Sequence, residues 1–186
     1  MGDPGTKAEL LSLEDLEATA GFRTGRKHIL SILVENKPGV LTRVAGLFAR
    51  RGFNIDTLVV GPTDDESLSR ITLTVDGAMH PIDQVTKQLH KLVNVLKIRD
   101  LEPDEAVARE MALFKISGDS GSRGEIMQVV EIFRAKIIDV QRRTVIVEVT
   151  GTHDKVEAFE RMARPFGMVE MARTGEIALS RGRGET

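Results

Sequence analysis

The chain has 186 residues, 41% hydrophobic and 29% charged, which suffices for one ordinary domain or two small ones and is too apolar for a disordered chain. Lys and Arg total 26 against 28 Asp and Glu, so there is no strong positive field to recruit a phosphate backbone or an anionic bilayer, and neither nucleic acid nor membrane is expected as a partner. Cysteine, tryptophan and tyrosine are absent, which removes disulfides, thiolate nucleophiles and thiolate metal sites and leaves base stacking to Phe alone.

Residues 1–26 place Leu10, Leu13 and Leu16 at helix-like spacing among Asp3, Glu9, Glu14, Asp15 and Glu17. A short acidic piece flanked by Gly and Pro is marginal as an isolated helix, so this arm reads as a flexible N-terminal extension. It lacks an apolar stretch of signal-peptide length. No segment approaches the roughly 20 apolar residues that span a bilayer, and the expected location is cytoplasmic.

From His28 the character changes. Ile29, Leu30, Ile32, Leu33 and Val34 form a β-branched, apolar strand that ends at Glu35-Asn36-Lys37-Pro38-Gly39. Val40, Leu41, Val44, Leu47 and Phe48 then recur at three- and four-residue intervals opposite Arg43, Arg50 and Arg51, the pattern of an amphipathic helix that Gly52 stops. Ile55 to Val60 and Ser69 to Asp76 read as a hairpin around Gly61-Pro62-Thr63-Asp64-Asp65. A second helical pattern carries Ile82, Val85, Leu89 and Leu92 on one face, and Val93 to Leu101 closes the unit as a fourth strand. The order βαββαβ predicts an α+β, ferredoxin-like antiparallel sheet with both helices on one face.

Residues 103–109 read as a linker, with a short helix as the alternative over 103–108. The same order of elements then restarts: strand Met111 to Ser117, helix Glu125 to Arg134, strands Ile137 to Val140 and Thr144 to Thr150, helix Val156 to Ala163, and two last apolar pieces, Met168 to Ala172 and Ile177 to Leu179. This predicts a second small α+β domain, ferredoxin-like and of βαββα type. The expected division is an extension at 1–26, a first domain at 27–102, a linker at 103–109, a second domain at 110–181 and a tail at 182–186.

The segment from Glu35 to Val44 delivers a strand end into a helix N-terminus, whose unpaired N–H groups and partial positive charge hold a carboxylate without a dedicated cation. Gly39 keeps side-chain bulk away from a ligand there. Asn36 and Asn54 flank the helix in sequence and are expected at one end of the sheet, where carboxamides can accept from an α-ammonium and donate to a carboxylate. Val40, Leu41 and Ile55 offer apolar contact to an aliphatic side chain, selecting it by size. The same residues also suit a purely structural turn, with Asn36 capping the helix and Pro38 in its first turn, and local chemistry alone leaves both readings open.

The run from His28 to Ile55 resembles the opening of the acetolactate synthase small, regulatory subunit family. The likeness continues through Pro62-Thr63-Asp64-Asp65, Leu68-Ser69-Arg70, Gln84 to Leu92, Ile132 to Val140 and Ala178 to Gly182, covering residues 27 to 183. It implies an N-terminal ACT domain, a C-terminal domain particular to the family, a homodimer formed through the ACT sheets, and an effector site at that interface. Asn36, Gly39 and Asn54 match the family's effector positions, with Val40, Thr42 and Ile55 as neighbours. The resemblance further implies branched-chain amino acid biosynthesis with feedback inhibition by valine or another branched-chain amino acid. The expected partner is the catalytic large subunit, a transferase that carries thiamine diphosphate, Mg and FAD; no cofactor, metal or catalytic residue is expected on this chain.

Two rivals have weaker support. A free-standing amino-acid sensor acting on another enzyme or on transcription would call for a helix-turn-helix or basic stripe in the latter case, and neither is visible. An enzyme would need a nucleophile with a base or a carboxylate pair, also not visible. Gly118 to Gly124 is glycine-rich but lacks the Gly-Lys-Ser/Thr ending of a phosphate loop. His28, His80, His90 and His153 show no ligand spacing, and Arg181 and Arg183 read as a solvated tail.

Overall fold

The computed structural model describes residues 27–76, 82–102, 104–118 and 121–182. The N-terminal arm, His80 and Arg183 lie outside the described residues.

Strand β1 (Lys27–Glu35) alternates so that Leu30, Ile32 and Val34 face inward, each at most 2% exposed. Helix α1 (Val40–Arg51) buries Val40, Val44, Leu47 and Phe48 and ends at Gly52, whose φ of 69° is the left-handed cap that glycine adopts without strain. Strands β2 (Ile55–Pro62) and β3 (Leu68–Asp76) form the hairpin, helix α2 (Ile82–Leu89) buries Val85 and Leu89, and β4 (Val95–Leu101) completes the sheet. The strand order is β2-β3-β1-β4. Both helices share one apolar core with Leu30, Ile32, Ile71 and Leu73, as the pattern predicts. The second helix is a turn shorter than its apolar spacing suggests, because Leu92 N–H bonds back to Leu89 in a turn.

Residues 106–109 depart from expectation. Strand β5 runs Ala106–Ser117, so most of the anticipated linker or short helix is extended and paired. Ala106, Val107, Ala108 and Arg109 meet β9 (Ile177–Ser180), whereas Ala112 to Ile116 meet β8 (Met168–Arg173). Alternation hides here because alanine supplies the inward positions, and a strand built on Ala looks like loop or helix in sequence.

The rest of the second half comprises α3 (Arg123–Ile132), β6 (Lys136–Val140), β7 (Thr144–Gly151) and α4 (His153–Ala163). Its strand order, β6-β7-β5-β8, repeats that of the first half position for position. The second domain therefore has its closing strand, β8, and is a full βαββαβ unit rather than βαββα. Phe114, Phe133 and Phe159 anchor its core, with ring centroids 5.0 and 5.5 Å apart. Thr152 caps α4 by accepting from the Lys155 N–H.

β9 belongs to neither repeat. Ala178 joins Leu101 and Ala106 in a small cluster against Ile29 and Ala108, seating the β5–β9 ribbon on the face of the first sheet that the helices leave open. On that sheet Ser31, Thr72 and Thr74 are at most 3% exposed. Their hydroxyls are satisfied in part: Ser31 accepts from Arg70 at 3.0 Å, and Thr57 donates to Thr74 at 2.8 Å. Among the described residues no helix is long and apolar enough to cross a membrane.

Candidate functional site

The β1–α1 turn is held by the β2–β3 hairpin. Asn36 donates its backbone N–H to Ser67 O at 2.7 Å and its side-chain Nδ2 to Glu66 O at 2.9 Å. A carbonyl acceptor fixes the orientation of the amide, leaving Oδ1 as an acceptor that meets no donor among the described residues. Asn36 does not cap the helix: the N-cap is Gly39, with φ 84° and ψ −7° and no side-chain cap. Glycine is needed there for its left-handed backbone. The direction in which a Cβ would point is open, with no atom within 4 Å, so a ligand has access to the backbone.

At the helix mouth Val40 N–H reaches Lys37 O at 3.3 Å and Arg43 N–H reaches Gly39 O at 3.0 Å. Leu41 and Thr42 N–H groups have no backbone acceptor among the described residues, the condition under which a helix start receives an anion. A recess of about 100 Å³ adjoins them, lined by Val34, Asn36, Val40, Leu41, Val60, Ser69 and Ile71 among others. Its aliphatic floor has room for a short branched chain. Val40 is buried, while Leu41 and Thr42 are exposed on the first helical turn.

A second set of contacts braces the turn from the β4 side. Arg43 donates to Asn94 Oδ1 at 2.7 Å, and Asn94 Nδ2 donates to Glu35 Oε2 at 2.5 Å. Lys37 Nζ lies 3.1 Å from Glu35 Oε1. The Asn94 bond first, and the Lys37 bond second, hold the Glu35 carboxyl below its ordinary range. Sequence reading missed Asn94, which carries no local signal: its role comes from the register that brings the start of β4 to the end of β1.

Asn54 and Ile55 are elsewhere. Ile55 pairs with Val75, which pairs with His28, whereas Glu35 pairs with Leu68 and Pro62 with Ser69. The start of β2 thus lies level with the start of β1, roughly 23 Å from the Asn36 turn at about 3.3 Å per strand residue. The expectation that the two asparagines share one end of the sheet is corrected. β1 and β2 both run antiparallel to β3 and so run the same way, and α1 carries the chain back between them. Asn54 instead donates to Asp56 Oδ1 at 2.7 Å.

The structure therefore brings together Asn36, Gly39, Val40, Leu41 and Thr42 and leaves Asn54 and Ile55 at the far end. Among the described residues no group of three or more His, Cys, Asp or Glu is placed to hold a metal ion. A glycine-started helix mouth beside an aliphatic recess, on a βαββαβ unit, defines an ACT-type regulatory domain, and residues 30–97 match the AHAS small subunit-like ACT domain. Residues 109–182 match the small subunit of acetolactate synthase.

Curated relatives agree. The acetolactate synthase small subunit of Mycolicibacterium smegmatis is 49% identical over 155 residues, covering 83% of this chain and 91% of that protein. The probable acetolactate synthase small subunit of Archaeoglobus fulgidus is 49% identical over 156 residues, covering 84% and 98%. In three dimensions the chain is similar to the crystal structure of the acetolactate synthase small subunit from Thermotoga maritima, with a TM-score of 0.78, 47% identity and 86% and 99% of the two chains covered. The chain belongs to the family of acetolactate synthase regulatory small subunits.

Proposed function

We propose that the protein acts in the cytoplasm on a thiamine-diphosphate-dependent acetolactate synthase catalytic subunit, activating it and conferring feedback inhibition by valine or another branched-chain amino acid. The cofactors belong to that partner, and this chain contributes regulation. The observation that carries the effector site is the 23 Å separation, at about 3.3 Å per residue, between the Asn36 turn and Asn54. Strand β2 is an edge whose only partner among the described residues is β3. A second copy adding its own β2 antiparallel, across a two-fold axis, brings its Asn54 and Ile55 to the end where the first copy holds Asn36 and Gly39. Each completed site then takes the ligand carboxylate on the α1 N–H groups, the ammonium on the Asn36 and Asn54 carboxamides, and the aliphatic chain in the recess near Val40.

Because the ligand contacts both copies, it favours one packing of the shared sheet over others. A coupling of about 1–3 kcal/mol is typical of such linkage and gives a several-fold to hundredfold effect on the partner. The test is reconstitution: the purified chain is added to the catalytic subunit and acetolactate formation is followed as valine is titrated. Stimulation by the chain, reversed by valine, is expected; a rate indifferent to both would overturn the assignment.

A further inference from the structure

A cleft of about 590 Å³ separates the edge of the first sheet from the β5–β9 ribbon. Val59 and Pro62 form one wall, and Val107, Ile177 and Leu179 form the other. Val107, Ile177 and Leu179 are 38%, 59% and 57% exposed, adjoining aliphatic surface of the kind that marks a contact site. Arg70 and Arg109 enter the lining against one carboxylate, Asp64, so the cleft is apolar with a net positive rim. Arg109 is exposed and gives an N–H to the Ala108 carbonyl at 2.7 Å, while Arg70 lies across the first sheet to Ser31.

One segment of this chain has the opposite character. Residues 9–17 read Glu9-Leu10-Leu11-Ser12-Leu13-Glu14-Asp15-Leu16-Glu17, four leucines and four acids with no base, and they precede both family matches. Reach is sufficient. Lys27 pairs with Asp76, and the cleft residue Thr72 lies on the same strand roughly 13 Å further along, at about 3.3 Å per residue. The residues between Glu17 and Lys27 span up to about 30 Å when extended.

We infer that residues 9–17 seat in this cleft, with their leucines against Val107 and Leu179 and their acids toward Arg70 and Arg109. This inference stands apart from the effector site and does not require it.

The chain has no cysteine, so an introduced pair is the only pair. In the full chain, Leu13→Cys with Leu179→Cys should form an intrachain disulfide under mild oxidation at least fivefold faster than Leu13→Cys with Ile138→Cys on β6, the far edge of the second sheet. Equal rates, or a disulfide that joins two chains instead, would overturn the inference. As an independent readout, the double substitution Leu13→Asp and Leu16→Asp should uncover the cleft and raise anilinonaphthalene-sulfonate fluorescence several-fold while circular dichroism stays that of the parent. Unchanged fluorescence would count against the seat.

Discussion

Lys27 Nζ stands 3.2 Å from His153 Nε2, so the first residue of β1 and the first residue of α4 meet across the seam between the two halves. Behind this contact His153 Nδ1 lies 3.4 Å from Glu110 Oε1 and its Nε2 lies 2.9 Å from Glu157 Oε1. Glu110 also accepts from Arg173, which reaches Glu160 at 3.8 Å. The Glu110 side chain is 1% exposed and that of Arg173 is 22%.

Removing one member of such a pair strands the other. Fully buried cases cost about 3–5 kcal/mol; the partial exposure of Arg173 and its contact with Glu160 lower the expected cost of Glu110→Ala to about 2 kcal/mol. At roughly 2–4 °C per kcal/mol for a chain of this size, the melting temperature should fall by about 4–8 °C. Calorimetry checks this, and a shift within about 1 °C would mean that the pair contributes nothing to stability.

Glu176 lies in the same neighbourhood, 8% exposed. Burial pushes its carboxyl above the ordinary 4.5, against the opposing pull of His153, Lys27 and Arg173 and with some help from Glu110. The folded state therefore holds this proton at pH values where the unfolded chain has lost it, and the group's contribution to stability falls as pH rises from about 4.5 through the folded value. Glu176→Gln removes that slope. Denaturant titrations should show the variant gaining on the parent as pH is raised from 4.5 to 7, and parallel profiles would contradict the assignment.

Gly39→Asp places a carboxylate at the helix mouth that the ligand carboxylate is proposed to occupy. The left-handed backbone adds roughly 1–2 kcal/mol of strain, so the variant should fold with a melting temperature lowered by a few degrees. Its response to valine should weaken at least tenfold in the reconstituted assay, while stimulation of the catalytic subunit persists. A valine titration superimposable on the parent's would place the effector elsewhere.

The composite site makes a sharper demand. If Asn36 and Asn54 of different copies form one site, a dimer of one Asn36→Ala chain and one Asn54→Ala chain has one doubly altered site and one untouched site. Mixed dimers, isolated with two affinity tags, should recover tight valine binding at about half the parent stoichiometry by calorimetry, although neither homodimer does. Failure to recover would show that both asparagines act from the same chain.

Much of this was open to reading in the chain itself. The β-branched alternation of β1, the stripe of Val40, Val44, Leu47 and Phe48, and the cap at Gly52 carry strong local signals, because burial and backbone conformation are decided within a few residues. The turn from Asn36 to Gly39 was legible for the same reason. The position of Asn54 was not. Two strands flanking a helix seem neighbours in sequence, and only the shared antiparallel partner β3 reveals that their beginnings, rather than an end and a beginning, are level. The front of β5 was hidden by its alanines, and β9 by its brevity, since four residues fix no period until a partner strand supplies one.

β5 serves two sheets with one unbroken backbone: Ala106 to Arg109 answer to β9 against the first domain, and Ala112 to Ile116 answer to β8 within the second. Such a beam has no hinge between its bearings. The two halves are therefore joined across these residues by paired strand rather than by a loop.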